Sequence, residues 1–167
     1  MSKSILFNFE VDKENNEILV ERSFNAPLGI VWAAWTEAEI LDQWWAPKPW
    51  KAETKYMDFR EGGHWLYAMV GPEGEKHWSR VDYVTISPQK SFTTFDGFCH
   101  EEGSLNDELP NNKWEVNFSD RGESTLVHVR LIFDSFEDLE TIIQMGFQEG
   151  FTAGLENLDQ YIASKSR

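Results

Sequence analysis

Apolar and polar side chains alternate along this chain in three successive regimes. Over residues 17–24, EILVERSF, apolar Ile18, Val20 and, less cleanly, Phe24 are separated by charged or polar neighbours, the pattern of a strand with one buried face. Asn25-Ala26-Pro27 stops the run. Pro27 suits a first helical position, and Ile30, Val31, Ala34 and Trp35 recur at three- and four-residue spacing, predicting a short amphipathic helix. Thr36 with Glu39 has the spacing of a capping box for a second short helix, residues 37 to 44, with Ile40, Leu41, Trp44 and Trp45 as its apolar side. Pro47 and Pro49 end it.

The period then drops to two. KAETKYMDF, GHWLYAMV, KHWSRVDYVTI, KSFTTFDGF, KWEVNF and STLVHVRLIF are rich in strand formers and separated by EGG, GPEG, SPQ and DRGE, all turn chemistry. Consecutive strands with short links predict an antiparallel meander. HEEGSLNDELPNN, between Cys99 and Lys113, is polar, carries a proline and is too long for a hairpin turn; it is expected to be mobile.

From Asp134 onward a helical period returns. Ser135 with Asp138 resembles a cap, and Ile143, Phe147, Phe151, Leu155, Leu158 and Ile162 descend one face, predicting a single helix of about thirty residues. Beside that stripe lie Gly146, Gly150 and Gly154, each costing ~1 kcal/mol against alanine in a helix interior. Two readings offset that cost: close approach of the sheet backbone, or room for a ligand. Glu149, Glu156 and Asp159 make the segment too polar for helix pairing in a bilayer.

Composition narrows the functional classes. A chain of 167 residues, 41% hydrophobic, suits one domain over 1–167 with its core between about 18 and 163. A net charge of −14 repels phosphate backbones and anionic headgroups, so neither nucleic acid nor membrane is an expected partner. The single cysteine, Cys99, forms no internal disulfide, and MSKSILFNFE lacks the basic start and apolar run of a secretory signal; the expected compartment is the cytoplasm. Aromatic residues make up 14% of the chain, suiting either a dense core or the wall of a pocket.

Three stretches, ERSFNAPLGIVWAAWTEAEILDQWWAPKPW, EGGHWLYAMVGPEG and FEDLETIIQMGFQEGFTAGLENLDQYIA, together resemble the family named after the C-terminal domain of the activator of the heat shock protein 90 ATPase. That family belongs to the START-like (SRPBCC) superfamily. The resemblance implies an α+β helix-grip fold: a curved antiparallel sheet of about seven strands wrapped around a long C-terminal helix, with two short helices after the first strand and a cavity between. It implies a small hydrophobic or aromatic ligand in that cavity. The alternatives are a cyclase, dehydratase or hydrolase acting in the same space, or a protein that engages a chaperone. A homodimer is compatible with all three, and one fold carries many tasks.

No nucleophile elbow, phosphate loop or dinucleotide fingerprint is present, so no cofactor is expected. His64, His77, His100 and His128 lack ligand-like spacing, and no metal site is expected. Cys99 beside His100 reads as an incidental or buried thiol rather than a nucleophile. With the aromatic strand faces turned toward the final helix, Trp65, Tyr67, Met69, Trp78 and Phe95 meet Phe147, Phe151 and Leu155 around Gly150 and Gly154. Plain core packing is the simpler reading of each ring. Arg80 among those rings needs a carboxylate, an aromatic face or an anionic ligand, with Glu115 a candidate partner. Trp44 and Trp45 end a helix that the prolines force to turn, placing one ring in the core and one, Trp45, at the cavity rim. Trp50 begins the next strand.

Overall fold

The computed structural model describes residues 5–165; the outermost positions of the expected domain, 1–4 and 166–167, lie outside the described residues. Strands β1 (Phe7–Asp12), β2 (Glu17–Phe24), β3 (Lys51–Met57), β4 (His64–Val70), β5 (Lys76–Ser87), β6 (Ser91–Cys99), β7 (Asn112–Asp120) and β8 (Thr125–Ile132) form one antiparallel sheet in the order β1-β2-β8-β7-β6-β5-β4-β3. Helices α1 (Leu28–Thr36) and α2 (Ala38–Trp44) follow β2, and α3 (Phe136–Gln144) and α4 (Phe147–Lys165) close the chain. The six-stranded meander is present in consecutive order, and β2 joins it beside β8. The sheet has eight strands rather than about seven. The addition is β1, which pairs with β2 and whose FNFEVD alternates Phe7, Phe9 and Val11 with polar residues, a half-exposed strand that the sequence reading passed over.

Each strand buries the face its alternation marks. In β2, Ile18, Val20 and Phe24 are fully buried, and so is Arg22 on the same face. That arginine is matched across the core by Asp159 of α4, through both carboxylate oxygens, while its guanidinium stacks 5.0 Å from the Phe24 ring. A buried guanidinium without such a partner would be strongly destabilising. Register shifts at Thr54/Tyr56 and Tyr83/Thr85 mark irregularities of the kind that bend a sheet around its helix.

Of three local expectations, two change and one holds. The capping box does not form: Thr36 Oγ1 instead donates to the Trp32 carbonyl of α1, 2.8 Å away, and α2 starts without a side-chain cap. Ser135 does cap α3, accepting from the Asp138 amide at 3.1 Å. The single long helix is two, divided at Met145-Gly146, where Gly146 adopts φ +89°. Its carbonyl then accepts the amide of Gly150 at 3.0 Å as α4 begins.

The three glycines therefore serve different purposes. Gly146 supplies a left-handed turn, and Gly150 faces open space with Pro47 Cγ 3.7 Å from where a Cβ would sit. A Cβ on Gly154 would stand 3.2 Å from the Trp45 carbonyl and 3.3 Å from that of Trp44. The close approach is real, but it is made by the end of α2 and not by the sheet. Asn157, one turn further, donates to the Ala46 carbonyl at 3.0 Å, just beyond the end of α2.

These assignments separate on substitution. Gly146→Ala should lose about 1–2 kcal/mol, because its backbone is left-handed. Gly150→Ala should gain up to about 1 kcal/mol, its methyl making ordinary contact only. Urea denaturation of both variants checks the contrast; equal effects would remove the distinction.

Candidate functional site

Between the sheet and α4 lies a cavity of about 460 Å³. Its floor follows from register: Tyr67 of β4 lies opposite Ser79 of β5, Ser79 opposite Phe98 of β6, Asp96 opposite Asn112 of β7, and Trp114 opposite Leu131 of β8. Residues paired across antiparallel strands share a face, and all of these line the cavity. Phe147, Gly150 and Phe151 of α4 form the roof, with the Phe147 and Phe151 rings stacked at 5.2 Å. Trp45 and Trp50, on either side of the Pro47 turn, complete the wall.

The segment between β6 and β7 makes several contacts with the rest of the fold. Leu105 bridges to Cys99, the Asn106 amide donates to the Phe98 carbonyl at 2.8 Å, and Leu109 and Pro110 line the cavity. The expected mobile insert is thus a side wall.

The tryptophan-rich turn divides its rings as its position suggests. Trp44 is buried, its Nε1 donating to the Ala34 carbonyl at 2.9 Å. Trp45 faces the cavity and is locked by its Nε1 donating to Tyr67 Oη at 2.8 Å. Trp50 precedes β3 rather than beginning it, and its ring lies 5.5 Å from that of His77 at the cavity wall.

Within these apolar walls sits one carboxylate, Asp96. Thr94 Oγ1 donates to its Oδ1 at 2.5 Å. Desolvation, reinforced by the charge of Asp82, raises its pKa to about 7 despite that hydrogen bond. Burial likewise pushes the Tyr67 and Tyr83 phenols above their usual range, with the Asp96 charge adding to both shifts. Behind Asp96 a second chamber of about 30 Å³ is bordered by Trp35, Thr94 and Trp114. It can hold one water, and Trp35 Nε1 is the one buried side-chain polar atom without a protein partner among the described residues.

Seven of the twelve expected site residues reach this space: Trp45, Tyr67, Met69, Phe147, Gly150 and Phe151 line it, and Arg80 borders it. The Arg80 guanidinium, however, belongs to the opposite face. It pairs with Asp82 at 2.9 Å and donates to the Gly103 carbonyl at 3.2 Å, whereas Glu115 pairs with Arg130. Trp78 shares that outer face, flanked by Lys55 and Lys76, and Phe95, opposite Asp82, faces outward too. Trp65 is buried beneath Tyr67, stacked at 4.1 Å with its Nε1 on Thr54, which in turn donates to Asp42. Gly154 and Leu155 pack into the core and do not line the cavity.

Sequence reasoning missed Asp96, Asn112, Ser79 and Trp114. A usable signal existed for Asp96: Phe92, Thr94, Asp96 and Phe98 occupy one phase of the β6 alternation, so two phenylalanines flank the carboxylate on its own face. Cys99 is buried, and desolvation pushes its thiol up to about 11, which keeps it from acting as a thiolate. Among the described residues no group of three or more His, Cys, Asp or Glu could hold a metal ion, and no helix is long and apolar enough to cross a membrane.

A bent antiparallel sheet closed by a terminal helix, with a cavity between them, defines the helix-grip class of the START-like superfamily. Residues 25–163 match the model of one family in it, activator of Hsp90 ATPase homolog 1-like protein, and the chain belongs to that family. A protein of Arthrobacter aurescens, solved in solution, is 28% identical with a TM-score of 0.89, over 96% of this chain and 93% of that one. Protein Ms6760 of Mycobacterium smegmatis is 25% identical with a TM-score of 0.86, over 95% of this chain and 96% of its own. A Staphylococcus epidermidis protein at 23% identity and TM-score 0.81, over 93% and 94% of the two chains, shares the fold. Among curated proteins, none matches the chain.

The half-buried, cavity-facing carboxylate has a measurable consequence. Its folded pKa, about 7, exceeds the unfolded value near 3.9, so the folded state binds the extra proton. The stability it allows is full at low pH and is lost as pH rises through about 7. Asp96→Asn, which keeps the shape and the Thr94 contact, should be more stable than the parent at pH 8 by on the order of 2 kcal/mol. That advantage should vanish near pH 4, as urea denaturation at both values would register.

Proposed function

We propose that this chain binds a small organic molecule with a largely aromatic body in the cavity between sheet and α4. The observation that carries the reading is the cavity's size and lining: about 460 Å³, within the range of small-molecule sites, walled by tryptophan, phenylalanine and methionine with a few convergent polar groups. Stacking on rings already fixed by packing and by the Trp45–Tyr67 hydrogen bond costs little ordering of the protein. Membership of a START-like family supports the same assignment at the level of fold.

One observation favours a second reading, chemistry in the same cavity. Asp96, with a pKa of about 7, lies in the range where a carboxylate serves as a general base at neutral pH. The lining residues available for that role are Asp96 and His77, while the Arg80 guanidinium, held on the opposite face by Asp82 and Gly103, does not polarise a carbonyl there. Mass spectrometry of a cavity-bound compound before and after prolonged incubation decides this point, since an unchanged mass leaves binding alone.

Titration with the uncharged dye Nile red should give saturable fluorescence enhancement with matching tryptophan quenching. Gly150→Leu places a good helix former where only Pro47 is near and pushes its side chain into the free volume. It should weaken dye binding at least about tenfold while the melting temperature holds. Unsaturable quenching, or full affinity in Gly150→Leu, would refute the reading.

A further inference from the structure

Asp96 stands in surroundings that leave its charge unanswered. It lies on the inward face of β6, and its influences are desolvation, the hydroxyl of Thr94 and the negative charge of Asp82; among the described residues no cation pairs with it. Arg80, the one arginine bordering the cavity, is committed to Asp82 and the Gly103 carbonyl on the other side of the sheet. Among the described residues lining the cavity, Asp96 is the sole carboxylate and His77 the sole imidazole.

The walls have the same electrostatic preference. Trp45, Trp114, Tyr67, Phe147 and Phe151 line the space around the carboxylate, and each aromatic face carries negative quadrupolar potential. Rings arranged around a single acid form a cage for positive charge. The surrounding protein, with net charge −14, adds a field that concentrates cations and repels anions at the cavity mouth.

We infer that the ligand is an organic cation, an aromatic body bearing a protonated amine or quaternary ammonium group, seated with its rings against Trp114 and Phe151 and its charge beside Asp96. The inference rests on the proposed reading of the cavity as a ligand site and names the class of molecule it selects. A bound cation supplies the counter-charge that the fold withholds, so Asp96 ionises on binding. A neutral hydrogen-bond acceptor would instead need Asp96 protonated, and a carboxylate or phosphate ligand would meet repulsion on every side. These alternatives respond oppositely to pH. The groups facing or influencing Asp96 are Tyr67 of β4, Ser79, Asp82 and Tyr83 of β5, Thr94 of β6, and Asn112 and Trp114 of β7, with α4 contributing only apolar side chains to this wall; His77 lies further along it. Tyr67, Tyr83 and Cys99 stay protonated through neutral pH, which leaves Asp96 and His77 to be separated by mutation.

Three naphthylmethyl probes of equal size provide the test, carrying trimethylammonium, neopentyl-type uncharged carbon, or sulfonate, with affinities read from tryptophan quenching. At pH 8 the ammonium probe should bind at least about tenfold more tightly than the uncharged one, and the sulfonate more weakly than both. The ammonium preference should shrink as pH falls from 8 to 5.5, although the probe itself does not titrate, and should shrink equally in His77→Gln. Asp96→Asn should reduce it to within about threefold at every pH. If the uncharged or sulfonate probe binds best, or the ammonium preference survives Asp96→Asn, the cation assignment is overturned while the cavity reading stands. If no probe and no Nile red binds, both fall.

Discussion

Helix α4 is kept in place by a contact between backbones. The carbonyls of Trp44 and Trp45 lie so near Gly154 that a methyl there would press on them, and Asn157 takes up the Ala46 carbonyl one turn beyond. This docks the end of α2 on the middle of α4 with almost nothing between them. Little more than one turn beyond Gly154, Asp159 grips Arg22 inside the core. Between docking point and sheet, the first turns of α4 stand clear, and Phe147, Gly150 and Phe151 look into unfilled volume. The cavity is a consequence of where the helix is fastened.

The same docking orients the aromatic turn. Trp44 is driven into the core because α2 must lie flat on α4, and Trp45, its neighbour, is rotated toward the sheet, where Tyr67 accepts its indole hydrogen. Pro47 carries the chain past Gly150 toward Trp50, so three tryptophans close together in sequence serve three places: core, wall and mouth. A dense cluster of edge-to-face rings around Trp45, with Trp35, Trp65, Trp114 and Phe151 all within 6.2 Å by centroid, makes that wall stiff. Stiff walls explain how an unfilled space persists in a protein interior that otherwise packs to crystal density.

Asp96 is the local cost of that arrangement. A carboxylate facing an aromatic cavity destabilises the fold whenever it is charged, and it is the kind of inconsistency that functional sites retain. Among the described residues it is given a threonine hydroxyl but no counter-ion.

Much of the fold was legible in the amino-acid sequence, because period-two and period-3.6 patterns report directly on which side chains must leave water together. The meander, the paired helices, the Ser135 cap and the closing helical stripe all follow from that. The split into α3 and α4 needed the backbone, since a glycine in a helical stripe reads alike whether it is helical or left-handed. The site was legible only in part. Alternation states which residues share a face, yet on β5 and β6 both faces carry aromatic side chains, and periodicity alone cannot say which face is inner. Phe95, Trp78 and the Arg80 guanidinium went outward and Asp96 inward because register with β4 and β7 had already fixed the orientation of each strand. Pairing between strands distant in sequence is a property of the assembled sheet, and so the chemistry of the cavity was decided by tertiary structure.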